Sequence, residues 1–122
     1  MASIGNNQKW SLSSLERSAV RTFFETGLIA KRLKEDGELD LFQLDAGQLI
    51  GVQYLAPARA LSPEQAGLAP WLEFGVDDLG SAVARMDQLG LKRVEYHDEA
   101  HVYFTAPGGI VFRLMARQAA QP

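Results

Sequence analysis

The sequence repeats itself once. Ser18-Ala19-Val20 returns as Ser81-Ala82-Val83 and Gly27-Leu28 as Gly90-Leu91, with the same separation of 63 residues in both cases. Gly47, ahead of one apolar run, matches Gly109, ahead of another, at a separation of 62. A chain of 122 residues has room for two copies of one supersecondary unit, which makes this a duplication and not a solenoid.

The second half is the clearer copy. In Trp71 to Val76, Leu72, Phe74 and Val76 alternate with Trp71, Glu73 and Gly75, the period of a strand with one buried face. Asp77 and Asp78 suit a helix N-terminus. Leu79, Ala82, Val83, Met86 and Leu89 then recur at helical spacing, and Gly90 supplies the stop. Leu91 to Tyr96 and Val102 to Thr105 read as strands around a polar turn at His97 to Ala100. Ala106-Pro107-Gly108-Gly109 is a second turn, before a last strand from Ile110 to Met115.

The first half predicts the same order. Gln8 to Leu12 is a short strand, and Ser13 with Glu16 fits a capping box. The helix that follows offers Leu15, Ala19, Phe23 and Phe24 to a core and ends at Gly27. Strands are expected over Leu28 to Lys34, Leu39 to Leu44 and Gln48 to Leu55. The reading is therefore one α+β domain over 1–122, with one βαβββ module over 8–55, a proline-rich linker and plausible pocket lid over 56–70, and a second module over 71–115.

Composition excludes several function classes. The formal net charge is -3 with no long run of one sign, so no nucleic-acid partner is expected. There is no cysteine, hence no disulfide, thiolate nucleophile or Cys-bound zinc, which fits a cytoplasmic address. No apolar run approaches the roughly 20 residues of a membrane span, and no signal peptide is read at the N-terminus.

FGVDDLGSAVARMDQLGL and YFTAPGGIVFRL resemble the second βαβββ module of the vicinal oxygen chelate superfamily, which includes glyoxalase I, bleomycin-resistance proteins and extradiol dioxygenases. Ala106, Gly108 and Ile110 depart from the aspartates and asparagine usual in the family's last turn. The resemblance implies two curled mixed sheets forming a cleft, with the helices outside. It also implies metal-ligand positions on the first and fourth strands of each module. These fall on Trp71 and Arg113, and the internal repeat carries them to Gln8 and Gly51. Residues 1–15 and 46–55 contain no His, Asp, Glu or Cys, and a guanidinium repels a cation, so no metal and no cofactor are expected.

The remaining polar and aromatic residues have two readings each. His97 and His101 flank Asp98-Glu99-Ala100 as a zinc site would require, but turns of this kind are usually polar and solvated. Trp10 and Trp71 can stack on a planar ligand or pack against the sheet. Glu73 and Arg113 can anchor a ligand or form a cross-strand ion pair. His101 and Tyr103 face the cleft if Val102 and Phe104 meet the helix. Pro107-Gly108-Gly109 is a turn and not a phosphate loop, because no helix follows it. The expected binding residues are Trp10, Leu12, Leu49, Gln53, Trp71, Glu73, Tyr103, Arg113 and Met115.

The function expected from the resemblance is metal-independent binding or sequestration of a small, planar, partly apolar organic molecule, as in antibiotic-binding members, by a homodimer. The alternative is a lyase, isomerase or dioxygenase relative with a rearranged metal site, or with Glu73 and His101 as acid and base.

Overall fold

The computed structural model describes residues 1–117. The chain divides into two compact units between Leu61 and Ser62. In the first, β1 (Asn7–Ser13) leads through a tight turn to α1 (Arg17–Thr22), which continues as a π-turn over Phe23–Gly27. β2 (Lys31–Asp36), β3 (Leu39–Gln43) and β4 (Leu49–Leu55) follow. The second unit holds α2 (Pro63–Ala66), β5 (Leu72–Val76), α3 (Leu79–Gln88), β6 (Arg93–Val94), β7 (Val102–Thr105) and β8 (Val111–Ala116). Strand orders are β1-β4-β3-β2 and β5-β8-β7-β6, with the first and last strands of each unit paired in parallel and the others antiparallel. Both units are thus βαβββ, and the fold is α+β.

Local chemistry accounts for most boundaries in the second unit. The Asp78 carboxylate accepts from the Ser81 N–H at 3.0 Å and caps α3, and Gly90 ends it at φ 77°. Ala82 and Met86 are buried, as are Phe74, Phe104, Phe112 and Leu114 on the sheet. β6 is shorter than the run Leu91 to Tyr96 predicts. Only Arg93 and Val94 pair with β7, while Tyr96 lays its ring against Tyr103 at 4.6 Å. Residues 62–70, expected in the linker, fold with this unit. Ser62 and Gln65 form a capping box at the start of α2, and Ala66 is buried. Gly109 packs so closely under α2 that a Cβ there would lie 2.6 Å from the Pro63 Cα.

In the first unit the helix buries Phe23 and Phe24 as expected but turns the rest of the expected face outward. Leu15 (79 % exposed) and Ala19 point outward, while Val20, Phe23, Phe24 and Gly27 are buried. Ser13 caps a tight turn through the Leu15 N–H and not the helix itself. The rotation follows from Asp40, a fully buried carboxylate on the helix side of β3. Arg21 donates to it through Nε at 2.8 Å and Nη2 at 2.9 Å, Arg17 through Nη2 at 3.2 Å, and Tyr54 through its hydroxyl at 2.9 Å. Arg17 and Arg21 are one helical turn apart, so both reach Asp40 only if that side of α1 faces the sheet.

Burial pushes the Asp40 carboxyl up, but the hydrogen bonds from Arg21, Tyr54 and Arg17 outweigh it and hold its pKa at about 2. The folded state therefore binds this proton more weakly than the unfolded chain, and stability is lost as pH falls toward that value. The contribution is about 2 kcal/mol above the ordinary carboxylate range. Between neutral pH and about pH 2.5, urea titrations are expected to show the loss of most of that amount in wild type and less loss in Asp40→Asn. A second expectation concerns packing: Gly109→Ala must place a Cβ into Pro63 at a φ of 103°, so thermal unfolding is expected to register a loss of about 3 kcal/mol or more.

Candidate ligand-binding site

β5 and β8 lie side by side with Glu73 opposite Arg113, and β7 places Tyr103 opposite Arg113 on its other side. Because alternate residues share a face, Phe74, Leu114 and Phe104 enter the core while Glu73, Arg113 and Tyr103 meet on the open side of the sheet. Arg113 Nε donates to Glu73 Oε2 at 2.5 Å, and its Nη1 donates to the Tyr103 hydroxyl at 3.1 Å and to Asp98 Oδ2 at 3.3 Å. The guanidinium carbon lies 4.6 Å from the centroid of the Trp71 ring, a cation–π contact.

Asp98 joins the turn to this cluster. Its Oδ1 accepts from the Ala100 N–H at 2.9 Å; its Oδ2 accepts from the Tyr103 hydroxyl at 3.1 Å and lies 2.7 Å from His101 Nδ1. The His101 hydrogen bond is the main cause that holds the Asp98 carboxyl below the usual carboxylate range. Arg113 is held above its ordinary value, first by Tyr103 and then by Glu73. Trp71 and Tyr96 both stand edge-on to Tyr103, at 5.6 Å and 4.6 Å. Tyr103 is buried while Trp71 and Tyr96 are each more than two-fifths exposed, so two open aromatic rims border a covered floor. Among the described residues, Arg113 Nη2, the Tyr96 hydroxyl and His101 Nε2 make no hydrogen bond.

No protein-family model matches the sequence, and no curated protein matches it. Solved structures do match. The fosfomycin resistance protein FosX of Listeria monocytogenes is 14 % identical, with a TM-score of 0.73 over 97 % of this chain and 94 % of its own. The trypanothione-dependent glyoxalase I of Leishmania major is 16 % identical, with a TM-score of 0.71 over 94 % and 87 %. A possible glyoxalase from Bacillus cereus is 15 % identical, with a TM-score of 0.69 over 93 % and 100 %. The chain has the vicinal oxygen chelate fold.

Of these structures, a variant of the Listeria FosX has been solved with Mn(II) and 1S,2S-dihydroxypropylphosphonic acid. The residues of this chain do not fit such an ion. Trp71 offers only an N–H, Arg113 a fixed positive charge already bound to carboxylates, and Gly51 no side chain. The first module's strand position also moves. Lys9 pairs with Gly51 as Glu73 pairs with Arg113, so Lys9 matches Glu73, and Asn7, not Gln8, matches Trp71. No group of three His, Asp or Glu side chains able to hold a metal occurs among the described residues.

The same one-residue slip relocates two expected binding residues. Trp10 and Leu12 lie on the helix side of the first sheet, 5 % and 4 % exposed. Trp10 stacks on Phe23 at 6.4 Å and tilts against Phe24 at 5.2 Å, so both are core residues. Leu49 and Gln53 lie on the other face of that sheet, on either side of Gly51. Trp71, Glu73, Tyr103 and Arg113 come together in the second unit, with Met115 next along β8. Asp98 and Tyr96 complete the cluster and were absent from the expected set. The signal for Asp98 was the pair of histidines around it, which the turn reading assigned to solvent.

The two tryptophans differ in access. Acrylamide is therefore expected to quench Trp71 and leave the Trp10 emission protected, giving a downward-curving Stern–Volmer plot that becomes flat in Trp71→Phe. Arg113→Ala removes the group that joins Glu73, Asp98, Tyr103 and Trp71. The substitution is expected to lower the thermal unfolding midpoint and to give acrylamide greater access to Trp71.

Proposed function

We propose that the chain binds a small, planar, largely apolar organic molecule against Trp71 and Tyr96, over Tyr103, without the help of a metal. The observation that carries this reading is the exposed Trp71 indole held in place by Arg113, beside donors that no protein group uses. An aromatic contact of this kind is worth roughly 0.5–1.5 kcal/mol beyond area burial. Arg113 already has Glu73 and Asp98 as partners, so the site is poorly suited to a sugar phosphate or another strong anion. Sequestration of an antibiotic is the physiological role that best fits a binder of this fold. The likeness to a protein named for fosfomycin resistance supports that role by analogy alone.

The proposal extends to a cytoplasmic homodimer. No helix among the described residues is long and apolar enough to cross a membrane. Sedimentation is expected to give a dimer; a monomer at every accessible concentration refutes that part.

Binding is tested with a panel of planar aromatic compounds read by tryptophan fluorescence and thermal shift, with and without EDTA. Trp71→Ala is expected to weaken binding by about 2 kcal/mol or more, some thirtyfold. EDTA is expected to change nothing. Hits that bind Trp71→Ala as tightly as wild type place the site elsewhere.

A further inference from the structure

We propose that Asp98 and His101 form a general-base dyad that activates water, so that this face hydrolyses an aryl ester bound against Trp71. The inference rests on the binding reading above and adds a reaction to it.

Four observations carry it. His101 Nδ1 lies 2.7 Å from Asp98 Oδ2. A carboxylate acceptor there requires a proton on Nδ1, so in the neutral ring the lone pair is on Nε2, which makes no hydrogen bond. The carboxylate that orients the imidazole is itself held by Ala100, Tyr103 and Arg113, three partners on the turn, β7 and β8. The His101 side chain is 31 % exposed, enough for water to reach it. Finally, the unused Arg113 Nη2–H and Tyr96 hydroxyl are donors available to an oxygen that becomes negative.

The step balances without an oxidant, a reductant or a metal. Water oxygen bonds to the ester carbonyl carbon while Nε2 takes a water proton, and the carbonyl π pair moves to oxygen as the oxyanion. Collapse of the tetrahedral intermediate breaks the bond to the aryl oxygen, and the imidazolium returns the proton to the leaving phenoxide. The products are a carboxylic acid and a phenol. Asp98 touches no reacting atom and is a positioning residue. The charged and titratable groups tied to the dyad are Asp98 on the same turn, Tyr103 on β7, Arg113 on β8 and, through Arg113, Glu73 on β5.

The test uses the full chain, treated with EDTA, and 4-nitrophenyl acetate. Its binding arm is calorimetry with the product, 4-nitrophenol. Wild type is expected to hydrolyse the ester about a hundredfold faster than an equal concentration of imidazole, with a rate that falls as the imidazole is protonated. His101→Gln is expected to lose this acceleration and keep the affinity for 4-nitrophenol, while His97→Gln, in the same turn, keeps both. Asp98→Asn is expected to lower the rate and shift its pH midpoint. Because that change also loosens the turn, His101→Gln decides. A wild-type rate equal to that of imidazole, or equal rates in His101→Gln and His97→Gln, overturns the dyad. If 4-nitrophenol still binds in a Trp71-dependent way, the binding reading survives that result. Hydrolysis that needs His101 and persists unchanged in Trp71→Ala supports the dyad and overturns the binding face.

Discussion

The candidate site depends on one parallel pairing. Glu73 and Arg113 are forty residues apart in the chain and become neighbours only because β5 and β8 lie side by side in register. Their ion pair is partly solvated, and pairs of that kind contribute at most about 1 kcal/mol. What it supplies is position. A guanidinium is a flat fork with five N–H groups, so one side chain can hold Glu73 on one edge, meet Asp98 and Tyr103 on another, and still lay its face on Trp71. Lysine at this place has a single ammonium on a flexible stem and cannot do all of these at once.

The two units share a topology and put their polar networks on opposite faces. Where the second unit has Val102 opposite Leu114, the first has Asp40 opposite Val52, on the helix side, with Arg17 and Arg21 reaching down to it. Where the second has Tyr103 opposite Arg113 on the open side, the first has Leu41 opposite Gly51. One copy therefore uses its charges under the helix, where burial makes each unpaired group costly and fixes how α1 sits. The other keeps an apolar helix interface and places its charges where a ligand can reach them. A duplicated unit can diverge in this way because strand alternation gives each face its own set of positions.

Period-two alternation made the strands legible, and helical spacing with the Asp78 cap and Gly90 stop made α3 legible. The second unit's open face followed from the same pattern. Alternation states which residues share a face but not which face meets the helix, and that limit accounts for Trp10 and Leu12. The separation of 63 read from Ser18-Ala19-Val20 and Ser81-Ala82-Val83 does not carry to the strands, where Lys9 corresponds to Glu73 at 64 and Gly51 to Arg113 at 62. Carried back to β1, the helix spacing therefore misses by one residue and exchanges the two faces. Asp40 escaped because a lone aspartate in an apolar strand gives no sign of partners on another element. Asp98 was visible as a turn residue, but its bonds to Tyr103 and Arg113 are tertiary, and no local spacing encodes them.

The chemistry of the site differs from that of a metal-bound structure of the same fold. The FosX variant was solved with a metal cation, Mn(II), and a phosphonic acid. At Trp71 and Arg113 the cation is a guanidinium set between two carboxylates, and its charge is already answered. A strong anion that pairs with Arg113 through its occupied Nε or Nη1 would have to displace Glu73 or Asp98, and displacing Asp98 would also release His101 and Tyr103. A neutral ligand requires neither. It can lie on Trp71 and use the remaining Arg113 donor while the network stays intact. On the proposed reading the same carboxylate sets the charge a ligand can carry and the ring nitrogen that His101 presents, so that ligand class and reactivity would be linked through Asp98.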